Sequence, residues 1–154
     1  MKILSEIKQD METKFPGTQV VLEGSSLIVP KEGWLEIARF FKNDPAYSLD
    51  FLSSVTGVDY KEYLEVVYHL YSMGRKEGPL TIKVRTDPEQ SLIPSVTPIW
   101  RSAEFQEREA YDLVGIHFTG HPDLRRILMW EGFEHHPLRK DYIQDEQDRP
   151  VEEF

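Results

Sequence analysis

The stretch YLEVVYHLYSMGRKEGPLTIKVR, residues 63–85, decides the predicted fold because it holds the clearest strand pattern in the chain. In its second half Leu80, Ile82 and Val84 alternate with polar residues, so one face of a strand would be apolar. The intervening SMGRKEGP is rich in turn-forming residues. We therefore predict two strands, residues 63–71 and 80–85, joined as an antiparallel hairpin.

Upstream of this hairpin, the pattern predicts two amphipathic helices that flank a second, shorter hairpin. Apolar residues recur at helical spacing over residues 3–15 and again over residues 31–42. Between them, residues 19–22 and 27–29 are β-prone and are separated by a short Gly-containing loop. Residues 50–60 are expected to form a helical turn or loop that leads into a strand.

Downstream, residues 87–98 are interrupted by prolines and are predicted to form a loop. Pro98 suits the first turn of a helix that ends at Gly115. The sequence thus predicts an α/β (α+β) domain over residues 1–115, with helices covering a sheet. Residues 116–154 have little periodicity and an acidic end, and they are expected to form an extended C-terminal arm.

The composition excludes several classes of protein. At 154 residues, a length typical of one domain, the chain has no cysteine, so disulfides and cysteine-ligated clusters are not expected. A net charge of −9 opposes binding to nucleic acid. No apolar run reaches the roughly 20 residues of a membrane helix, and the N-terminus lacks a signal-peptide pattern. A cytoplasmic location is therefore expected.

The predicted third helix carries charged residues at regular spacing. Glu104, Arg108 and Asp112 are four residues apart, which favours a solvated ladder of weak ion pairs on one face. An alternative interpretation makes Glu107, Asp112 and His117 the acids and the base of a hydrolase. No nucleophile motif accompanies these residues, which argues against that alternative.

The histidines could indicate a metal site, because His117 and His121 are four residues apart and His135 and His136 are adjacent. An HxxxH pair binds one metal only when both rings lie on one face of a helix. Gly115, Gly120 and Pro122 make a helix unfavourable here, so we expect hydrogen-bonded or surface histidines and no metal.

The basic pairs of the arm suggest contacts with another protein. Arg125 and Arg126 form one pair, and Arg139 and Lys140 form another. Arginine side chains suit two-pronged contacts to carboxylates at protein interfaces. A long arm without its own core gains order by lying on a partner. The composition alone therefore predicts an extended arm that docks on another protein.

Residues 107–142, EREAYDLVGIHFTGHPDLRRILMWEGFEHHPLRKDY, resemble the signature of the 30 kDa subunit of respiratory complex I, also called its C subunit. The resemblance extends more weakly upstream to residue 50. The sequence ILMWEGFE, residues 127–134, is more like that of photosynthetic and ferredoxin-linked relatives. The signature positions are filled by Glu107, Arg108, Glu109, Asp112, Leu113, Val114, His121, Arg125, Ile127 and Leu128, and the PLRKD ending by Pro137, Leu138, Arg139, Lys140 and Asp141.

The resemblance implies a mixed sheet covered by helices and no cofactor, catalytic residue or metal on this chain. Iron–sulfur clusters, FMN and quinone would belong to other subunits of a proton-pumping NADH:quinone oxidoreductase. Glu107, Arg108 and Asp112 would form a buried or interfacial charge network. The basic residues Arg125, Arg126, Arg139 and Lys140 would pair with carboxylates of the D subunit. Expected partners are the quinone-reducing D subunit and the cluster-bearing B and I subunits, on the cytoplasmic side of the cell membrane.

Two alternatives stay open from the sequence. The first is the related subunit of a ferredoxin-linked complex or membrane-bound hydrogenase, which would use the same scaffold. The second is a free-standing metal-dependent hydrolase with Asp112, His117 and His121 in its active site.

Overall fold

The computed structural model describes residues 2–144, so the acidic end of the predicted arm lies outside the described residues. Three helices are present in that range, namely α1 (Leu4–Lys14), α2 (Lys31–Asn43) and α3 (Ala103–Val114). The strands are β1 (Val21–Glu23), β2 (Ser26–Val29), β3 (Phe51–Asp59), β4 (Leu64–Ser72), β5 (Glu77–Thr86), β6 (Leu92–Pro94) and β7 (His117–Thr119).

Five of the strands form one mixed sheet in the order β1-β2-β5-β4-β3. The β2–β5 pair is parallel, and the other three pairs are antiparallel. Strands β6 and β7 form a separate parallel pair. The predicted α/β fold with a mixed sheet and covering helices is therefore confirmed.

The core lies between one face of the sheet and the helices. Alternate residues of β4 and β5 are fully buried on that face, because their side chains all point to the same side of the sheet. Trp34 of α2 packs on Tyr68 of β4, with ring centroids 4.7 Å apart. Gly57 of β3 lies against Ala110 of α3. The core members of the two central strands are Leu64, Val66, Tyr68, Leu70, Leu80, Ile82 and Val84.

The opposite face of the sheet is less covered. On it, Val67, His69 and Lys83 are half-buried, whereas their neighbours along the same strands are fully buried. Glu65 is fully buried on this face, and Arg85 covers it through an ion pair of 2.7 Å. The fold is therefore a two-layer arrangement of helices on one side of a sheet.

Two helices and both hairpins were predicted close to where they occur, but three segments differ. Residues 50–60 contain a full strand, β3, because they find an antiparallel partner in β4. The predicted loop at 87–98 contains β6, and the third helix begins at Ala103 rather than at Pro98, after turns. Gly115 ends that helix with a left-handed φ of 81°, as predicted.

The chain after Gly115 is also more structured than expected. Residues 117–119 form β7, which pairs with β6, and the following residues return to α3 and β3. The stretch 120–144 is called the C-terminal segment below. The division of the chain at residue 115 and the docking of residues 116–154 on partners stay predictions.

Candidate partner interface

Asp112 of α3 anchors the beginning of the C-terminal segment. Its side chain is fully buried, and its Oδ2 accepts hydrogen bonds from the backbone N–H groups of Ile127, Leu128 and Met129 at 3.0, 2.7 and 2.9 Å. Arg126 donates to Oδ1 at 2.7 Å. Burial alone would raise the pKa of Asp112, but these donors outweigh it and hold the pKa below its usual range.

Arg108 binds carbonyl groups of the backbone just before the N–H groups that Asp112 binds. The guanidinium donates to the backbone carbonyls of Arg125 and Arg126 at 3.1 and 3.0 Å. It also lies 5.6 Å from the ring centroid of Phe105. Asp112 and Arg108 therefore bind the donor and acceptor groups of one short backbone stretch and fix its conformation.

Glu107 faces a different part of the molecule. Its buried carboxylate accepts hydrogen bonds from the Ser95 hydroxyl at 2.5 Å, the Val96 N–H at 2.8 Å and the Thr97 hydroxyl at 3.0 Å. Burial nevertheless keeps the pKa of Glu107 above its usual range. The carboxylate thus ties α3 to the turn that precedes it.

His121 lies beside Glu107, with 3.9 Å between its Nε2 and the nearer carboxylate oxygen. Its Nε2 is 2.9 Å from the carbonyl oxygen of Glu104, and its Nδ1 accepts the N–H of Asp123 at 3.0 Å. These contacts fit the neutral ring with its proton on Nε2. The ring therefore connects α3 to the start of the C-terminal segment.

Asp59, at the end of β3, anchors the other end of the segment. Its carboxylate accepts the backbone N–H groups of Lys140 and Lys61 at 2.8 and 2.7 Å, and Arg139 lies 3.7 Å away. Burial would raise the pKa of Asp59, but these donors and cations outweigh it and lower the pKa. Leu138 also donates its N–H to the carbonyl of Leu113 in α3, at 2.8 Å.

Between these anchors, the segment has a small aromatic cluster of its own. Phe133 is 5% exposed and contacts the rings of Trp130, His135 and Tyr142, with centroids 4.7, 5.9 and 6.2 Å away. The Arg126 guanidinium lies 5.5 Å from the Phe133 ring. The C-terminal segment therefore has a small aromatic cluster that the sequence patterns did not predict.

Gly115 and His136 meet where α3 ends. A Cβ on Gly115 would lie 2.6 Å from the His136 ring, which is too close for any side chain. His136 Nδ1 is 3.0 Å from the carbonyl oxygen of Asp112 and serves as its donor. Gly115 is thus required twice, for its left-handed backbone and for this close approach.

The structure corrects the prediction of a solvated charged ladder. Arg108 and Asp112 are buried, and each is bonded to the C-terminal segment rather than to the other. Glu107, Arg108 and Asp112 are all buried. Arg108 and Asp112 share Arg126 as a partner, through its carbonyl and its guanidinium, whereas Glu107 bonds to the turn at residues 95–97. Glu109, the other acid of the ERE motif, is exposed.

The basic residues also have partners within the chain, where carboxylates of other subunits were expected. Arg125 pairs with Asp123 at 2.9 Å, and Arg139 lies 3.3 Å from Asp141. The Lys140 ammonium lies 5.8 Å from the ring centroid of Tyr60. Two apolar residues of the signature are exposed as well, Leu128 at 63% and Leu138 at 61%, whereas Pro137 is half-buried.

The candidate sites for catalysis and metal binding are not assembled. Asp112 faces the backbone of residues 127–129, whereas His117 is exposed on β7 and contacts Tyr111 edge-on. Among residues 2–144, no three His, Asp or Glu side chains converge as metal ligands would. None of the helices in that range is long and apolar enough to cross a bilayer.

Sequence reasoning missed Asp59 and the Ser95–Thr97 turn as parts of this site. Asp59 falls within DFLSSVTGVDY, one of the upstream stretches that carry the weaker family resemblance, and this was a usable signal. Ser95 and Thr97 also lie within the weaker upstream resemblance, but their role depends on how close the turn comes to Glu107 and so required the structure.

A comparison with known protein families identifies the family of this chain. Residues 27–148 match the family described as the respiratory-chain NADH dehydrogenase 30 kDa subunit. The chain belongs to this family. The match runs from β2 through the whole C-terminal segment, so it includes both carboxylate anchors.

Curated relatives in this family are named as the C subunit of NADH-quinone oxidoreductase. A relative from Rhizobium meliloti, a C subunit numbered 2 in its name, is 53% identical over 117 residues, covering 74% of this chain and 63% of the relative. One from Moorella thermoacetica is 40% identical over 139 residues, covering 87% of this chain and 91% of the relative. The chain therefore spans less than two thirds of the rhizobial protein's length.

Two solved structures share the fold. A trypsin-resistant fragment of Nqo5, residues 1–134, is 36% identical, with a TM-score of 0.60 over 80% of this chain and all of the fragment. A chain of an archaeal membrane-bound sulfane sulfur reductase gives a TM-score of 0.66 over 96% of this chain and 98% of its own, at 22% identity. The second likeness shows the fold alone.

Proposed function

We propose that this chain is a non-catalytic, cofactor-free structural subunit in the peripheral arm of a proton-pumping NADH:quinone oxidoreductase. Family membership and the names of the relatives support this proposal. Electrons would pass from NADH through FMN and iron–sulfur clusters on other subunits to quinone. The complex would lie at the cytoplasmic side of the cell membrane.

The proposal rests mainly on the hydrogen bonds that the two buried acids of the signature accept. Asp112 and Glu107 accept several hydrogen bonds each from nearby backbone and side-chain donors. A general acid or base needs access to the proton of a substrate, whereas both of these carboxylates are fully buried. Their chemistry is therefore that of anchors, which hold a segment in place for contact with a partner.

The side chains that the anchored segment turns outward fit this role. Ile127 and Leu128 follow directly after Arg126, and their backbone N–H groups are fixed by Asp112. Leu138 lies at the other anchor, and Ile143 is 85% exposed. Burying one such aliphatic side chain against a partner contributes about 1.5–3 kcal/mol. A preorganised segment gives up little conformational entropy when it docks.

We assign the quinone-reducing D subunit as the main partner, with the cluster-bearing B and I subunits near it. The exposed aliphatic side chains would make the central contacts, and Arg125 and Lys140, which are exposed, would lie at the rim of the interface. Charges at a rim mainly steer association, whereas buried apolar groups contribute most of the affinity.

The test is to tag this chain in its host, purify it gently from membranes and identify the proteins that accompany it. We expect cluster-bearing subunits, a quinone-site subunit and iron–sulfur absorbance in one particle with NADH:quinone activity. A particle that accepts electrons only from ferredoxin would replace NADH as the donor. A chain recovered alone from the soluble fraction would contradict the proposal.

A further inference from the structure

The two edges of the five-stranded sheet differ in a way that indicates a second contact surface. One edge is β1, which is three residues long, and the other is β3, which is nine residues long. Proteins protect exposed edges by keeping them short or by adding charge and proline. Residues 51–58, FLSSVTGV, contain neither a charged residue nor a proline. From Val55 to Val58 the long edge therefore has neither of these protections, although the pairing irregularity at Leu52–Ser54 and the charged Asp59 lie on either side of this stretch.

The outward backbone groups of β3 can be identified from one contact. The N–H of Val55 donates to the side chain of Gln106 at 2.9 Å and so points away from β4. Residues alternate in direction along an antiparallel strand, and the pairing with β4 is regular from Val55 to Asp59. The N–H and C=O of Gly57 must therefore also point outward. No loop, turn or side-chain hydrogen bond to either group occurs among the described residues.

A groove of about 250 Å³ lies beside this edge, between β3 and α3. Its apolar wall is formed by Ala110 and Leu113 of α3 together with Leu138 of the C-terminal segment. Glu109, which is exposed, lies at its rim. The groove can hold an apolar side chain, and its rim favours a cationic neighbour.

We infer that residues 55–59 of β3 accept an extended segment of a partner subunit as a sixth strand. Main-chain hydrogen bonds to Gly57 would give affinity, and an apolar side chain in the groove would give specificity. A Lys or Arg beside that side chain would pair with Glu109. The inference rests on the proposed function, since it needs a partner subunit.

The position of α3 favours such a segment over a second copy of this chain. Gln106 reaches the edge from α3, and Gly57 packs so closely that a Cβ there would lie 3.2 Å from Ala110. Two β3 edges paired about a two-fold axis would bring both α3 helices to the same face. Paired strands lie about 4.8 Å apart, whereas packed helices need about 8–10 Å. An extended arm without its own helix avoids this clash.

Hydrogen exchange at single-residue resolution tests the inference in the isolated chain and in the purified complex. We expect the Gly57 amide to exchange rapidly in the isolated chain and at least about 100-fold more slowly in the complex. The neighbouring Thr56 amide, which faces β4, is the internal control and should be protected in both. Equally fast exchange of Gly57 in both samples would overturn the inference and leave the proposed function standing. Absence of any complex would overturn both.

A pair of charged substitutions gives an independent test. Thr56→Lys places a cation on the exposed edge, and Val21→Lys places one on the opposite edge, where the residue is also exposed. We expect the first to lower recovery of the assembled complex at least fivefold and the second to leave it unchanged. Equal recovery with both variants would contradict the inference. Self-association of the isolated chain that Thr56→Lys abolishes would assign the edge to a second copy instead.

Discussion

The five-stranded sheet and the C-terminal segment are stabilised by different interactions. The sheet is held by a continuous apolar face, in which residues such as Tyr68 and Ile82 are fully buried. The segment is held at its two ends by the carboxylates of Asp112 and Asp59, with a small aromatic cluster around Phe133 between them. Order in the sheet is thus shared among many residues, whereas order in the segment depends on a few.

Because of this difference, the interactions that fold the sheet are not the ones that fix the conformation of the C-terminal segment. A buried carboxylate with several donors is directional, so it fixes one backbone conformation rather than a family of packed ones. Asp112 fixes residues 127–129, and the exposed side chain of Leu128 is held in position as a result. We therefore expect that the segment can be lost while the sheet stays folded.

The largest loss of order in the segment, relative to the sheet, is expected from Asp112→Ala. The substitution removes the acceptor of three backbone N–H groups and leaves Arg126 with only the backbone carbonyls of Asp112 and His135 as acceptors. Removing one member of a buried pair costs about 3–5 kcal/mol. We expect the segment to detach, with trypsin cutting after Arg125, Arg126 or Arg139, while the far-ultraviolet circular dichroism of the domain is kept.

Glu109→Ala is the matched control, since Glu109 is an exposed acid on the same helix. Its effect should stay within about 0.5 kcal/mol, as for most surface substitutions, and its digestion pattern should match that of the unchanged chain. Loss of the whole fold in Asp112→Ala would show that sheet and segment are not separable.

A second effect is a loss of the segment in acid. The pKa values of Asp112 and Asp59 are lowered on folding, so their stabilisation is present above the unfolded pKa of about 3.9 and is lost as the pH falls through the folded values. We expect the amide resonances of residues 127–129 to keep their native positions from pH 8 to 5. They should move to unstructured positions only below about pH 4.

Asp112→Asn is the control for this titration, because it cannot ionise. Glu107 has the opposite sign: its raised pKa means that its contribution is greatest below the unfolded pKa and is reduced as the pH rises through the folded value. Loss of the segment as the pH rises would therefore contradict the role given to Asp112, whose contribution is present at the higher pH.

Sequence patterns predicted the sheet better than the site. The hairpin of β4 and β5 was predictable because alternation in Leu80, Ile82 and Val84 is a local signal. The anchors were not, because Asp59 and Lys140 are 81 positions apart and meet only in the folded chain. The family resemblance identified Asp112 as important, but the role of its carboxylate as an acceptor for residues 127–129 required the structure.

The smallest effect on stability is expected from Leu128→Ala. Leu128 is 63% exposed, so its loss should change the melting temperature little, with a free-energy change within about 0.5 kcal/mol. At a docked interface the same substitution should weaken assembly by about 1 kcal/mol or more, roughly a fivefold loss of partner subunits. Thr119→Ala, another exposed position, is the control. Unchanged assembly would remove Leu128 from the interface.

The most direct test of the account is hydrogen exchange of the amides of Ile127, Leu128 and Met129 in the isolated chain at neutral pH. If Asp112 orders the segment before any partner binds, all three should exchange far more slowly than in an unstructured peptide, and Asp112→Ala should abolish the protection. Exchange of all three at the unstructured rate in the unchanged chain would contradict the account, because the segment would then gain its order only from partners.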